Sequence, residues 1–176
     1  LLDFYSGIFM KESVSSANIQ KLREYCNLAK REDIFDIFLA KKKTLVKNDT
    51  DMEDILMYER NYDDVANRRI SKFVKSTYLS KTDYDEIETF SLKMLILDKQ
   101  TGVKMFDFLV RDQMERVQRS NHYDRLERYL SKLIGLGQSG KVKEYIPEAI
   151  KKYPTKKVMI SILKKIYTLA LNPVHL

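Results

Sequence analysis

Cys26 is the only cysteine in the chain, so no disulfide can close within it, and a reducing setting is the simplest one for a lone thiol. One thiol and two histidines cannot make a tetrahedral zinc site without added carboxylates. Five glycines and three prolines give too little turn chemistry for a β-sandwich or barrel. Tryptophan is absent, although eleven tyrosines and eight phenylalanines supply aromatic bulk. No apolar run reaches the roughly 20 residues a membrane-spanning helix needs, and residues 1–10 do not read as a signal peptide. The expectation is an intracellular protein, cytoplasmic or nuclear, with no membrane span. The chain opens on Leu1 rather than Met, which reads as a fragment of something longer.

What remains is ordinary globular material. Hydrophobic residues at 44% and charged residues at 32% exclude disorder. A length of 176 residues suffices for one helical domain or two small ones. Apolar residues recur with the 3.6-residue period, and no convincing stretch alternates with period two.

Ser16 is placed to cap a helix carrying Ile19, Leu22, Cys26 and Ala29 on one face, where Cys26 reads as a buried small hydrophobe. Residues 32–46 present Ile34, Ile37, Phe38 and Leu45. After a polar break, Thr50-Asp51-Met52-Glu53 reads as a capping box. It opens the longest expected element, residues 52–79, with Ile55, Tyr58, Tyr62, Val65, Ile70 and Phe73 in one stripe. At 1.5 Å per residue this helix would be about 40 Å long and would act as a spine.

Ser80-Lys81-Thr82-Asp83 turns the chain and caps a helix that Thr101-Gly102 ends. A helix over 103–119 follows, then one starting at Ser120-Asn121 and ending in a glycine-rich turn. Pro147 must lie in a first turn or at a kink. Thr155 is placed to cap the last helix, with Val158, Met159, Ile162, Leu163, Ile166 and Leu169 inward. The expected fold class is all-α: a multi-helix bundle with a long central helix, its C-terminal part built of stacked helical hairpins without a constant repeat period. The expected division is a helical scaffold over 1–100 and a basic hairpin region over 101–176, or one continuous domain, with 100–102 as the seam.

Two stretches imitate catalytic motifs. Gly135-Leu136-Gly137-Gln138-Ser139-Gly140-Lys141 has the glycine spacing and lysine of a phosphate-binding loop. Val142 stands where the magnesium-binding hydroxyl belongs, and a helix precedes the loop rather than a strand. A glycine-rich helix–helix turn is the stronger expectation. His122 follows Arg116 and Arg119 at a separation that is similar to helical HEPN-type ribonucleases, although Arg116-Val117 lacks the polar residue that follows the arginine there. The acids of Asp83-Tyr84-Asp85-Glu86-Ile87-Glu88 suit a helix N-terminus, and Asp63-Asp64 suits a solvated face. No catalytic residue, metal ligand or cofactor is assigned.

Charge is the informative asymmetry. Residues 1–88 hold 15 Lys/Arg against 17 Asp/Glu, a net −2, and residues 89–176 hold 17 against 8, a net +9. The second half is therefore expected to meet nucleic acid or an acidic protein. The candidate contacts are Arg111, Arg116, Arg119, Arg125, Arg128, Lys132, Lys141, Lys143, Lys151, Lys152, Lys156 and Lys157, with Lys164 and Lys165 continuing the run. Arg125, Arg128 and Lys132 share a helical face away from Leu126 and Leu130. Acids close to them in sequence are sparse.

Tyr58-Glu59-Arg60-Asn61-Tyr62 and Asn67-Arg68-Arg69-Ile70-Ser71-Lys72-Phe73, followed by the acidic start at residues 83–88, resemble the helical domain of GINS subunits of the DNA-replication helicase complex. Asp3-Phe4-Tyr5 is similar to the entry of that domain. The resemblance covers residues 1–100; that family also carries a small β-rich domain, to which 101–176 has no counterpart. It implies a non-enzymatic scaffold with protein partners in a replication complex. A HEPN-like ribonuclease and a helical-repeat protein–protein adaptor are the alternative expectations.

Overall fold

A computed structural model describes residues 2–76, 79–116 and 123–171, the side chains of Leu2 and Ala170 excepted. Those residues form ten α-helices and one 3-10 turn, with no strand among them. The fold is all-α. Two compact units divide it, Leu1–Lys72 and Phe73–Leu176.

Unit 1 contains α1 (Leu2–Lys11), α2 (Ser16–Leu28), a 3-10 turn (Glu32–Ile34), α3 (Phe35–Leu45), α4 (Asp49–Tyr58) and most of α5 (Tyr62–Lys75). Its core gathers Phe9, Val14, Ile19, Leu22, Cys26, Phe35, Leu39 and Ile55 from four helices and the link between α1 and α2. Cys26 is fully buried there, and burial pushes its thiol above the ordinary value. Lys42 is buried too: its ammonium donates to the carbonyls of Met10 (3.2 Å) and Glu12 (2.6 Å) and so closes the C-terminal end of α1.

The expected spine over residues 52–79 is two helices. α4 begins earlier, under an Asn48 cap that accepts from the Asp51 amide at 2.7 Å, in place of the Thr50 box. It ends in a Schellman turn: Asn61 N–H reaches the Leu56 carbonyl, Arg60 N–H reaches that of Met57, and Arg60 adopts φ 57°. Asn61 then accepts from the Asp64 amide and starts α5. An amphipathic stripe continues through a capped turn whenever both helices present the same side inward, and this is why periodicity alone ran the two together. The N-cap of α2 is similarly one residue away from expectation, at Ser15, whose hydroxyl accepts from the Asn18 amide.

Unit 2 contains the end of α5 from Phe73, then α6 (Lys81–Leu97), α7 (Lys99–Arg116), α8 (Asp124–Gly135), α9 (Ser139–Lys152) and α10 (Lys157–Leu171). The expected Ser80–Asp83 capping box is present at the start of α6. α6 and α7 form the most extensive helix pair. Only Asp98 separates them, and its carboxylate accepts from the Thr101 amide (3.0 Å) and hydroxyl. Thr101 and Gly102 therefore lie inside the first turn of α7, not at a break. Gly102 permits the close approach: a Cβ there would sit 2.6 Å from the backbone nitrogen of Leu95. Residues 100–102 are accordingly packed into unit 2, and the seam between units falls inside α5, between Lys72 and Phe73.

α7, buried over most of its circumference from Thr101 to Met114, holds the central place in unit 2 that was expected of 52–79. α8 lies beside α6 and α10 beside α8 in one layer, while α9 lies beside α7 in the other. This is a stack of helical hairpins. Pro147 lies in the interior of α9, with its ring on the exposed side.

Candidate acidic-partner surface

The stretch from Gly135 to Lys141 joins helix to helix. Gly135 closes α8, Gly137 takes φ 81° in a Schellman turn (Gln138 N–H to the Leu133 carbonyl, 2.9 Å), and Ser139 opens α9. The glycine at that turn satisfies a left-handed backbone, which accounts for it without a phosphate.

Among the described residues, each arginine of unit 2 is paired with an acid. Three tyrosine–carboxylate–arginine triads organise them. Tyr84 donates its hydroxyl to the buried Asp112 at 2.6 Å, and Arg116 pairs with the same carboxylate at 2.7 Å. Tyr129 donates to Glu88 at 3.1 Å, and Arg128 pairs with Glu88 at 2.7 Å. Tyr145 donates to Asp107, with Arg111 at 3.4 Å from that carboxylate and bridging also to Glu148. Guanidinium groups cover the rings: Arg125 over Tyr84 (4.7 Å), Arg111 over Tyr145 (5.2 Å) and Arg128 over Tyr129 (5.7 Å). Arg125 adds a bridge to Asp85 at 3.1 Å. Arg116 also donates to the Ser76 carbonyl.

Burial, reinforced by the carboxylate partner, holds all three phenols protonated well above their ordinary range. Each triad joins two helices: α6 to α7, α6 to α8, and α7 to α9. A hydrogen bond to a charged group contributes about 1.5–3 kcal/mol, whereas a partly exposed ion pair contributes roughly 0.2–1 kcal/mol. Where the carboxylate is partly exposed, as at Glu88 and Asp107, the tyrosine bond is thus the stronger half; Asp112 is buried, and its pair with Arg116 is not a surface one. Among the described residues, no buried side-chain nitrogen or oxygen lacks a partner.

Arg111, Arg116, Arg125 and Arg128, candidate partner contacts by sequence, each pair with an acid of the stack, Arg111 and Arg128 keeping 44% and 57% of their side chains exposed. Asp85, Glu88 and Glu148 meet Arg125, Arg128 and Arg111 from other helices, whereas Asp107 and Asp112 stand four residues before Arg111 and Arg116 on α7 itself. Lys156 is engaged as well. It donates to the carbonyls of Met114 and Glu115, both at 2.8 Å, closing α7 as Lys42 closes α1. Burial lowers its pKa. Lys141 is half-buried and 3.9 Å from Asp107. Arg119 and His122 lie outside the described residues.

The exposed cations left from the expected set are Lys132, Lys143, Lys151, Lys152 and Lys157, with Lys164 and Lys165 on α10. The Lys152 ammonium lies 5.2 Å from the Tyr153 ring. Residues 139–171 hold eight lysines against two glutamates, a net +6. On α9 and α10 these lysines are exposed and outnumber the two glutamates of α9.

Unit 1 offers one open cleft of about 440 Å³, lined by Arg23, Phe35, Asp36, Leu39, Ala40, Tyr58 and Glu59. Its arginine is already bonded to the Tyr58 hydroxyl at 2.9 Å and lies over the Phe35 ring. No group of three or more metal-ligating side chains occurs among the described residues, and no helix there is long and apolar enough to cross a membrane. No family model, curated protein or solved structure matches the chain.

Proposed function

We propose that the chain is a non-enzymatic helical binding module of a larger assembly, and that its second unit receives an acidic partner on the lysine surface of α9 and α10. The observation that carries this reading is the division of labour among cations. The described arginines of unit 2 are paired with acids of the stack, while the lysines of residues 143–165, Lys156 aside, face solvent with two glutamates among them in sequence. Like charges at this density repel one another, and an anionic partner relieves the repulsion. The ribonuclease alternative gains no support from Arg116, whose guanidinium is held by Asp112 and Ser76. A replication complex, as the resemblance of residues 1–100 implies, is one narrower setting for the same module; co-purification with replication-fork proteins tests that setting.

The direct test is an anisotropy titration with duplex DNA, single-stranded RNA and polyglutamate at low and moderate salt. Binding of at least one polyanion is expected. If about four phosphates are contacted, log K falls against log[salt] with a slope of roughly −3 to −4. No binding to any of the three at low salt removes the proposal.

A further inference from the structure

The last described layer of unit 2 carries a second feature beside its charge, and it narrows the acidic-partner reading on which it rests to one partner chemistry. α10 contains three lysines and no acid. Its solvent side has two adjoining rows. Lys157, Ser161, Lys164 and Thr168 follow one another at i, i+4, i+7 and i+11, and Val158, Ile162, Lys165 and Leu169 do the same one position on. Met159, Leu163 and Ile166 face the other way and are buried. In the second row Val158 is 47% exposed and Leu169 62%, with Ile162 partly buried between them.

A phosphate backbone makes use of lysines but not of a line of aliphatic side chains. It is also read by bidentate arginines or by stacking rings, and this surface presents neither. The described arginines of unit 2 are engaged, Tyr145 is buried, and Tyr153 and Tyr167 are partly buried. An aliphatic row at helical spacing beside a cationic row is complementary to a helix with leucine-type residues on one face and carboxylates at its margin.

The stack already contains such a pairing. α6 presents Asp85 and Glu88 to Arg125 and Arg128 of α8, helix lying beside helix. We propose that α10 is the docking face for an acidic amphipathic helix of a partner protein. The apolar side of that helix covers Val158, Ile162 and Leu169, and its carboxylates meet Lys157, Lys164 and Lys165. α10 has 15 residues, about 22 Å of helix at 1.5 Å per residue, so the docked segment is roughly four turns long.

The experiment uses the full chain with four labelled probes: a designed acidic amphipathic peptide, a scramble of it with the same composition, polyglutamate and a short DNA duplex. The amphipathic peptide is expected to bind at least about tenfold more tightly than its scramble, about 1.4 kcal/mol. The double substitution Val158→Glu with Leu169→Glu should remove that advantage while leaving the thermal melt unchanged. Substituting Lys157, Lys164 and Lys165 by Gln should weaken the peptide by a further tenfold or so. Equal affinity for peptide and scramble overturns the inference and leaves the acidic-partner reading standing. DNA binding that exceeds the peptide and ignores the glutamate substitutions overturns it in favour of nucleic acid. Silence from all four probes overturns both.

Discussion

The two units contain the same kinds of residue and use them differently. Unit 1 holds 13 Lys/Arg and 13 Asp/Glu, a net of zero, while unit 2 holds 19 against 12 and so carries the whole net +7. Most ion pairs of the neutral unit lie near the surface, with Arg69–Glu53 the part-buried one. Arg31–Asp33 closes within a turn, and Arg68–Asp49 has both partners well exposed. Its cohesion comes from one apolar cluster. In the basic unit Arg111, Arg116 and Arg128 share their carboxylates with tyrosines, and one of those carboxylates, Asp112, is buried. Net charge locates an excess but does not say which side chains carry it. In unit 2 the excess sits on lysines because the arginines are engaged.

The contrast breaks first if the triads do not stabilise. Asp112→Ala leaves the buried Tyr84 hydroxyl and the Arg116 guanidinium without their acceptor and is expected to cost about 3 kcal/mol. Asp49→Ala in unit 1 should cost less than about 0.5 kcal/mol. Urea denaturation of both variants measures the pair, and equal losses would remove the distinction between units.

Glycines sharpen it next. Gly102→Ala forces a methyl into the Leu95 backbone and should cost about 1–3 kcal/mol. Gly7→Ala meets nothing within 4 Å in α1 and should stabilise by about 0.5–1 kcal/mol through helix propensity. A thermal melt that ranks them the other way would contradict the close α6–α7 packing.

A smaller effect distinguishes the three Schellman turns. Unit 1 places Lys30 and Arg60 in the left-handed region, and unit 2 places Gly137 there. Lys30→Gly and Arg60→Gly should each gain about 0.5–1 kcal/mol, and Gly137→Ala should lose about as much. Denaturation midpoints give the signs directly.

The mildest expectation concerns acid. Hydrogen bonds from Thr101 hold the Asp98 carboxyl below its ordinary range, and those from Ser80 do the same for Asp83. A carboxylate depressed in the folded state adds stability above its unfolded pKa, and that contribution is lost as pH falls through the folded value. The α6 and α7 starts should therefore loosen below about pH 4. Amide exchange across that range, with Asp98→Asn as control, should show α7 protection falling with pH in the parent and already low and flat in the variant.

Much of this was legible in the sequence. Ser80–Asp83, the inward row of α8, Met159, Leu163 and Ile166 of α10, and burial of Cys26 follow from local rules that act within one helix or one cap; Val158 and Leu169, expected inward as well, are exposed. The split of the expected spine did not, because Arg60 is not the residue that a left-handed turn advertises. The triads were out of reach for a different reason. Asp85 and Glu88 meet their arginines across about 40 residues of chain, and no periodicity links positions so far apart. A weak trace exists in the tyrosines at 84, 129 and 145, each of which shares its helix with a basic residue three or four positions away or closer, but only the fold shows which acid each one meets. Of the candidate surface, the basic bias of the second half was visible, and the separation of arginine from lysine was not.

The triad separations also bear on how the chain comes together as it is made. The side-chain links from α6 to α8 and from α7 to α9 span 37 to 41 residues. Asp85 and Glu88 therefore cannot meet their cations until α8 has been made, nor Asp107 its tyrosine until α9 has; the pairs inside α7, Asp107–Arg111 and Asp112–Arg116, need only their own helix.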